Sequence, residues 1–230
     1  MNYIQLFISD YDRTLTNVKL KIGDKAIEAL AKLKKNNMKV AIVSGRKYSY
    51  MKSFYDQYSK VIDAFIAENG CIGFSNGRKE IISHNRNRGE ILEALSSKAI
   101  SFDAGEVVIS VNSKYEKVLH ELLASVEDSR VIKNIDSLMI LPRGASKGIG
   151  VKWISNKLNI PFSQTACIGD GENDIEMRNY CSILGAVANA VPELKKVADY
   201  ICQKGYSEGV LEFVEKIILK LKSNNCLHFS

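Results

Sequence analysis

Short apolar runs that stop abruptly at Asp, Ser or Gly alternate along this chain with stretches that are apolar every third or fourth position. The first run spans residues 4–9 and ends at two carboxylates one residue apart, Asp10 and Asp12. An apolar run of this length with polar ends suits a strand buried on both faces. Asp is a poor strand residue and costly to bury, so the pair is expected just past the strand's C-terminal end. Residues 24–36 follow, with Ala26, Ile27, Leu30 and Leu33 on one face at helical spacing and Asp24 placed to cap the helix. Residues 39–43 are a second buried strand, ending at Ser44-Gly45-Arg46. Strand, helix, strand in this order predicts a right-handed βαβ unit that brings Ser44 to the same sheet edge as Asp10.

The pattern continues with a helix over 48–58, a strand over 61–67 ending at Glu68-Asn69-Gly70, and a hairpin closed by Asn76-Gly77. The rhythm then changes. Residues 84–141 read as helix (89–99), strand (107–111), helix (115–126), strand (130–132) and strand (138–141), the last two antiparallel. This predicts a small α+β insert. Beyond it, Ser146 caps a helix over 147–158, a strand over 165–168 stops at Gly169-Asp170-Gly171-Glu172-Asn173-Asp174, and a helix covers 175–179. Short strands at 182–187 and 199–201 flank a helix opened by Pro192, and an amphipathic helix covers 209–218. The expected architecture is α/β: a Rossmann-like parallel-sheet core, residues 1–80 and 144–230, with an inserted small α+β cap domain over 81–143.

Composition narrows the function classes. The chain has 230 residues, 46% apolar and 25% charged, an ordinary globular balance. No apolar run is long enough to span a bilayer, and the first residues enter a strand without a signal-peptide pattern, so cytoplasmic residence is the expectation. Cys71, Cys167, Cys181, Cys202 and Cys226 are odd in number and lack C-x-x-C spacing, which argues against a disulfide framework or zinc. Cys167 and Cys202 read as core residues, and His84, His120 and His228 as scattered surface residues. The net charge of +6 is spread without blocks or interleaved aromatics. Nucleic-acid binding has little support, and small anionic substrates are favoured. A monomer or a homodimer is compatible with all of this.

The strand ends carry the chemistry. In a parallel sheet, Asp10, Asp12, Ser44, the helix start at Lys147, and Asp170, Asn173 and Asp174 meet at one edge. Oxygen donors without His or Cys select a hard cation, Mg²⁺ foremost. Gly169 and Gly171 allow close approach of backbone to ligand or carboxylate. Each feature has a plainer reading: a turn with two solvated Asp residues, N-capping by Asp170 and Asp174, a surface Lys in a Lys-rich chain. A calcium loop opening at Asp10-x-Asp12-x-Thr14 fails, because Leu15 and Lys21 stand where Gly and Glu are required.

With those residues in order, the sequence resembles the haloacid dehalogenase superfamily of phosphatases. Asp10-x-Asp12-x-Thr14 is similar to its first motif, Val43-Ser44-Gly45 to the second, Lys147 to the third, and Gly169-Asp170-Gly171-x-Asn173-Asp174 to the fourth. The insert's position resembles the Cof-like subgroup, and length and details such as Glu68-Asn69-Gly70 are most similar to archaeal phosphoglycolate phosphatases. The resemblance implies Asp10 as nucleophile and Asp12 as general acid and base. It implies Ser44, Gly45, Lys147 and Asn173 as phosphate contacts. It implies Mg²⁺ held by Asp10, the Asp12 carbonyl, Asp170 and Asp174. Arg46, Asn69, Arg86 and Arg143 are candidate substrate contacts. Arg13 departs from the Gly common among relatives. The implied reaction is hydrolysis of a small phosphate monoester, 2-phosphoglycolate first; a sugar-phosphate phosphatase, a phosphomutase and a non-catalytic phospho-accepting module are the alternatives.

Overall fold

The computed structural model describes residues 3–226 except 125, 127, 135 and 136, and the side chains of that range except those of 134 and 220–226. Two sheets organise it. β1 (Leu6–Asp10) is buried at every position, as its unbroken apolar run requires. α1 (Asp24–Lys35) turns Ala26, Ala29, Leu30 and Leu33 inward and leads to β2 (Lys39–Val43). Then come α2 (Tyr48–Tyr58), β3 (Ala64–Ala67), and a hairpin of β4 (Ile72–Ser75) and β5 (Arg78–Ile81). Its Asn76-Gly77 loop has positive φ at both residues, 51° and 74°, as the tight hairpin turn demands.

The insert supplies α3 (Arg88–Ser97), β6 (Phe102–Ala104), β7 (Ile109–Asn112), α4 (Glu116–Leu123), β8 (Ser129–Asn134) and β9 (Ser137–Pro142). The chain returns through α5 (Lys147–Leu158), β10 (Thr165–Gly169), β11 (Ile183–Ala186), α6 (Pro192–Val197), β12 (Tyr200–Ile201) and α7 (Tyr206–Cys226).

The larger sheet has the order β12-β11-β10-β1-β2-β3-β4-β5, and the smaller β6-β7-β9-β8. From β12 to β3 neighbours run parallel; β4 and β5 are antiparallel additions, and the smaller sheet is antiparallel throughout. The α/β class with an α+β insert therefore holds. β1 lies between β2 and β10, so successive connections leave it in opposite directions. A ligand crevice opens at such a point. Two apolar clusters match the two sheets: one on Phe7, Ile42, Phe65 and Phe213, the other on Ile91, Leu95, Ile109 and Leu119 in the insert.

Several expected boundaries move. Asp24 is the first residue of α1, and Gly23 occupies its cap. The third strand starts at Ala64, because the Asp63 carboxylate turns back to the β2 backbone. The first insert strand is shifted to 109–112, and the helix expected over 115–126 narrows to Glu116–Leu123 behind a turn at Ser113–Tyr115. β6 was not anticipated: it has three residues, and Phe102 and Asp103 are exposed, so no buried run marks it. Residues Glu172–Tyr180 form a longer, tighter helical run than the 175–179 expected. α7 runs several residues further at each end than expected.

Candidate active site

The backbone that follows β1 makes one wide helical turn, Tyr11–Leu15, in which Arg13 adopts φ 61°. The Thr16 N–H closes it on the Tyr11 carbonyl at 3.1 Å, and the Asn189 side chain holds the Arg13 carbonyl at 2.9 Å. This turn throws Asp10 and Asp12 in different directions. Asp10 is 3% exposed at the strand end. Asp12 is about a third exposed and gripped by Arg46: Nε lies 3.1 and 3.0 Å from its two oxygens and Nη2 2.7 Å from one. The Arg46 guanidinium stacks 4.7 Å from the Tyr50 ring centre, and the Tyr50 and Tyr11 hydroxyls are 3.0 Å apart.

Lys147 reaches the same place from the first turn of α5. Ser146 caps that helix by accepting the Ile149 N–H at 3.2 Å. Gly70, at φ 99°, packs so tightly on this cap that a Cβ would stand 1.8 Å from the Ser146 carbonyl oxygen. Only Gly fits there. Lys147 Nζ donates to Asp10 Oδ1 at 2.6 Å and to Asp174 Oδ1 at 2.7 Å, and all three side chains are buried. Asp174 Oδ2 accepts the N–H groups of Asp170 and Gly171, both at 2.9 Å. A Cβ at Gly169 would lie 2.4 Å from that same oxygen, so the close approach of backbone to carboxylate expected there is present. Asp170 accepts Thr14 Oγ1 at 3.2 Å and lies 3.8 Å from Arg13 Nε. Arg13 thus partners Asp170, a role its departure from Gly did not announce.

Asp10, Asp170 and Asp174 offer one oxygen each within 4.8 Å of one another. Two of the three, Asp10 and Asp174, share the Lys147 ammonium, while Asp170 lies beside Arg13. Burial first, then Asp174 and Asp170, raise the Asp10 pKa well above the ordinary carboxylate value against the pull of Lys147. Asp170 is pushed up to about 6, by burial and then by Asp174, with Lys147, Thr14 and Arg13 opposing. Burial would lower Lys147, but Asp10 and Asp174 outweigh it and hold it charged. Asp10 Oδ2 is buried without a hydrogen-bond partner among the described residues.

Ser44 is buried at the end of β2, its Oγ accepting the Arg46 N–H at 3.0 Å. Gly45 faces Asn69, whose Oδ1 accepts Asn173 Nδ2 at 3.1 Å. A cavity of about 220 Å³ lies above, lined by Lys147, Asn173 and Asn69 below and by Arg130, Ile132, Lys133 and Leu141 of the insert. Of the four candidate substrate contacts, Asn69 lines it. Arg46 is spent on Asp12, while Arg86 and Arg143 are exposed and do not line it. Arg130 and Lys133 were missed; both lie on a strand whose side-chain alternation alone gives no hint of what it faces. His84 and His120 are exposed, and His228 lies outside the described residues. Cys71, Cys167, Cys181 and Cys202 are buried and free; the side chain of Cys226 is not among those described.

A sheet with its switch point at β1 and a cluster of acids on that edge is a doubly wound scaffold with a candidate site at the expected crevice, and comparison with known proteins supplies the class. A family model for haloacid dehalogenase-like hydrolases matches residues 7–114 and 96–214, and the chain belongs to that family. Among curated relatives, a phosphoglycolate phosphatase of Sulfurisphaera tokodaii is 31% identical over 93% of this chain and 94% of its own. Phosphoglycolate phosphatase 2 of Saccharolobus solfataricus is 30% identical over 93% and 92%. Two solved structures share the fold. A Thermoplasma acidophilum protein has TM-score 0.83 at 22% identity, covering 95% of this chain and 100% of its own. A haloacid dehalogenase-like hydrolase from Bacteroides thetaiotaomicron has TM-score 0.83 at 19% identity, covering 93% and 99%.

Proposed function

We propose that this protein is a Mg²⁺-dependent phosphatase that hydrolyses a small phosphate monoester, 2-phosphoglycolate first, through an aspartyl-phosphate. One observation carries the reading: three clustered carboxylates, of which two share one buried ammonium, with one Asp10 oxygen left unpartnered among the described residues. Such an excess of buried negative charge calls for a cation. The donors are all oxygens, which fits a hard divalent ion. Asp10, the Asp12 carbonyl and Asp170 would hold it directly. Asp174 would act through water, because its oxygens already serve Lys147 and two backbone amides. Mg²⁺ bound there supplies positive charge against which two anions can approach.

Asp10 attacks phosphorus in line, forming a new P–O bond as the ester P–O bond breaks. Asp12 gives its proton to the departing alkoxide, and later takes one from the water that attacks the same phosphorus. Phosphate leaves and the Asp10 carboxylate is restored. Ser44, Gly45, Lys147 and Asn173 hold the transferring oxygens as charge shifts among them.

Substrate choice belongs to the insert, taken as residues 81–143 against a core of 1–80 and 144–230. The cavity is below the roughly 300–1,000 Å³ of drug-sized pockets, which favours a small ester. Arg130 and Lys133 offer positive charge to a second anionic group, and Arg130 Nε is buried without a partner among the described residues. Arg130 Nη2 also donates to the Ala145 carbonyl at 2.6 Å and to Glu176 at 3.3 Å, Lys133 lies 3.8 Å from Glu116, and Glu172 shares the lining, so a bound anion would compete with these acids for the two cations. Relatives named for phosphoglycolate support the same choice. Among the described residues no helix is long and apolar enough to cross a membrane.

The test is a panel of phosphate esters with phosphoglycolate and sugar phosphates side by side. Free phosphate from phosphoglycolate, lost with EDTA and restored by Mg²⁺, is expected. Indifference to chelation overturns the metal assignment, and a phosphorylated isomer in place of free phosphate overturns hydrolysis.

A further inference from the structure

Glu68 is a buried charge that the proposed chemistry leaves unused. It is 1% exposed and sits at φ 53°, followed by Asn69 at 54° and Gly70 at 99°. A Glu in the left-handed region is uncommon and points to a demand of the surroundings. Here the demand comes from the insert. The Glu68 carboxylate accepts three successive backbone N–H groups, those of Glu106 (2.9 Å), Val107 (2.8 Å) and Val108 (2.9 Å). Successive amides converging on one anion form a strong charge-assisted clasp. Gly105 closes it: a Cβ there would lie 2.6 Å from the carboxylate. Ion pairs flank it, Lys47 with Asp103 on β6 and Lys79 with Glu106 on the turn itself.

Both ends of this clasp lead to the cavity. On the core side, Glu68 adjoins Asn69, which lines the cavity, bonds Asn173 and donates its N–H to the Ser44 carbonyl at 3.0 Å. On the insert side, the clasped turn runs into β7. β7 pairs β9 in fixed register (Ile109↔Ile140), and β9 pairs β8 (Arg130↔Leu141, Ile132↔Met139). Arg130, Ile132 and Leu141 are the insert's wall of the cavity. A shift of the turn would be carried through two hydrogen-bonded ladders to that wall, since ladders change register in steps rather than by stretching.

We infer that Glu68 is a positioning residue for specificity. Its carboxylate, clasped by the amides of 106–108, sets how closely the insert wall stands over the catalytic floor and so restricts the leaving group to small acids. The inference rests on the phosphatase reading above. Two variants attack the clasp from opposite sides: Glu68→Gln, which sets an amide among three donors, and Gly105→Ala, which crowds the carboxylate from the insert without touching the catalytic sheet. Each is assayed with 2-phosphoglycolate and glucose 6-phosphate, and its backbone amide exchange is followed.

Each variant is expected to raise the KM for phosphoglycolate about 10-fold with kcat within about 2-fold, and to shift the kcat/KM ratio toward glucose 6-phosphate by about 10-fold, the scale of a lost charge-assisted hydrogen bond. Exchange at 106–108 should quicken by about 10- to 100-fold while β1 stays protected. The double variant should be no worse than the worse single, since both break one contact. A parallel loss on both substrates, or unchanged exchange at 106–108, overturns the inference and leaves Glu68 a structural residue only. If Glu68→Gln does not fold, Gly105→Ala decides alone. A wild-type protein that hydrolyses no ester overturns the phosphatase reading and this inference with it, an outcome distinct from good turnover with an unmoved ratio.

Discussion

The larger sheet holds acids at both of its edges, Asp10 buried and Asp63 half-buried, and the two edges treat them in opposite ways. Asp63 lies just before β3, at the edge where the strands begin. Its oxygens accept Lys34 Nζ (2.8 and 2.6 Å), Lys39 Nζ (3.1 Å) and the Val40 N–H (2.9 Å). Burial alone would raise its pKa, but these donors outweigh burial and hold it below the ordinary value. Asp10 ends β1 at the opposite edge, with one oxygen on Lys147, the other without a hydrogen-bond partner among the described residues, and two more acids close by. Its pKa goes up. One acid is finished by the protein; the other waits for something to complete it. Strained electrostatics of the second kind stay in a fold when a ligand relieves them.

The sharpest way to break this contrast is Asp10→Asn. Asn keeps an acceptor for Lys147 and removes one negative charge from the cluster. Turnover is expected to fall by about 10⁴-fold or more, as for loss of a nucleophile. The metal-free variant should melt no lower than the parent, because like-charge repulsion is relieved. Steady-state rates and thermal melts in EDTA check both halves. Near-parental activity would remove Asp10 from the nucleophile's place. A large drop in melting temperature would mean that Asp10 is as structural as Asp63.

Asp63→Asn should do the converse. Loss of charge-assisted bonds to Lys34 and the Val40 amide is expected to cost about 1–3 kcal/mol of stability, with kcat per folded molecule unchanged. The pH dependence has a definite sign. An acid whose folded pKa is depressed contributes stability that is present above its unfolded pKa, about 4, and is lost as pH falls through the folded value. The parent should therefore lose stability more steeply than Asp63→Asn as pH falls below about 4. Urea titrations at several pH values measure the two slopes, and parallel slopes would mean that Asp63 contributes little as a charge.

The gathering of acids at one sheet edge was legible before any coordinates because strand ends are local signals. Apolar runs that stop at Asp10, at Ser44 and at Gly169-Asp170 need no knowledge of their neighbours, and parallel topology then brings them together. What escaped depends on contacts between distant residues. Asp174 reads as one more acid at a helix start; only the structure reveals both oxygens engaged by Lys147 and the loop amides. Arg130 and Lys133 sit on a short insert strand and become cavity residues only through the placement of the smaller sheet. Glu68 looked like part of a loop, since neither its positive φ nor its three amide partners leave a trace in hydrophobic spacing. The Asp63 partnership was likewise hidden inside a strand expected to start at residue 61. Periodicity reports which face is buried, not what a buried charge will find there.

Asp12 tests where the contrast ends. It stands at the functional edge, yet Arg46 grips it on both oxygens, much as Lys34 grips Asp63. Under the mechanism proposed above, Asp12 has to present an oxygen to the leaving group, and Arg46 engages both of its oxygens, so part of the fork would have to open in each catalytic cycle. On that proposal Arg46, stacked on Tyr50, would serve as a guide for the Asp12 carboxyl. Arg46→Gln is expected to lower kcat for an alkyl phosphate by about 10-fold, a fraction of the roughly 10²–10⁴ that general acid–base catalysis supplies. An aryl phosphate, whose leaving group needs little protonation, should lose less than about 3-fold. Stopped assays on both esters at one pH give the two ratios. Equal losses would mean that Arg46 serves the phosphoryl group or the fold rather than the proton. No loss on either would place the Asp12–Arg46 pair with Asp63, as an ion pair that shapes the edge without taking part in its chemistry.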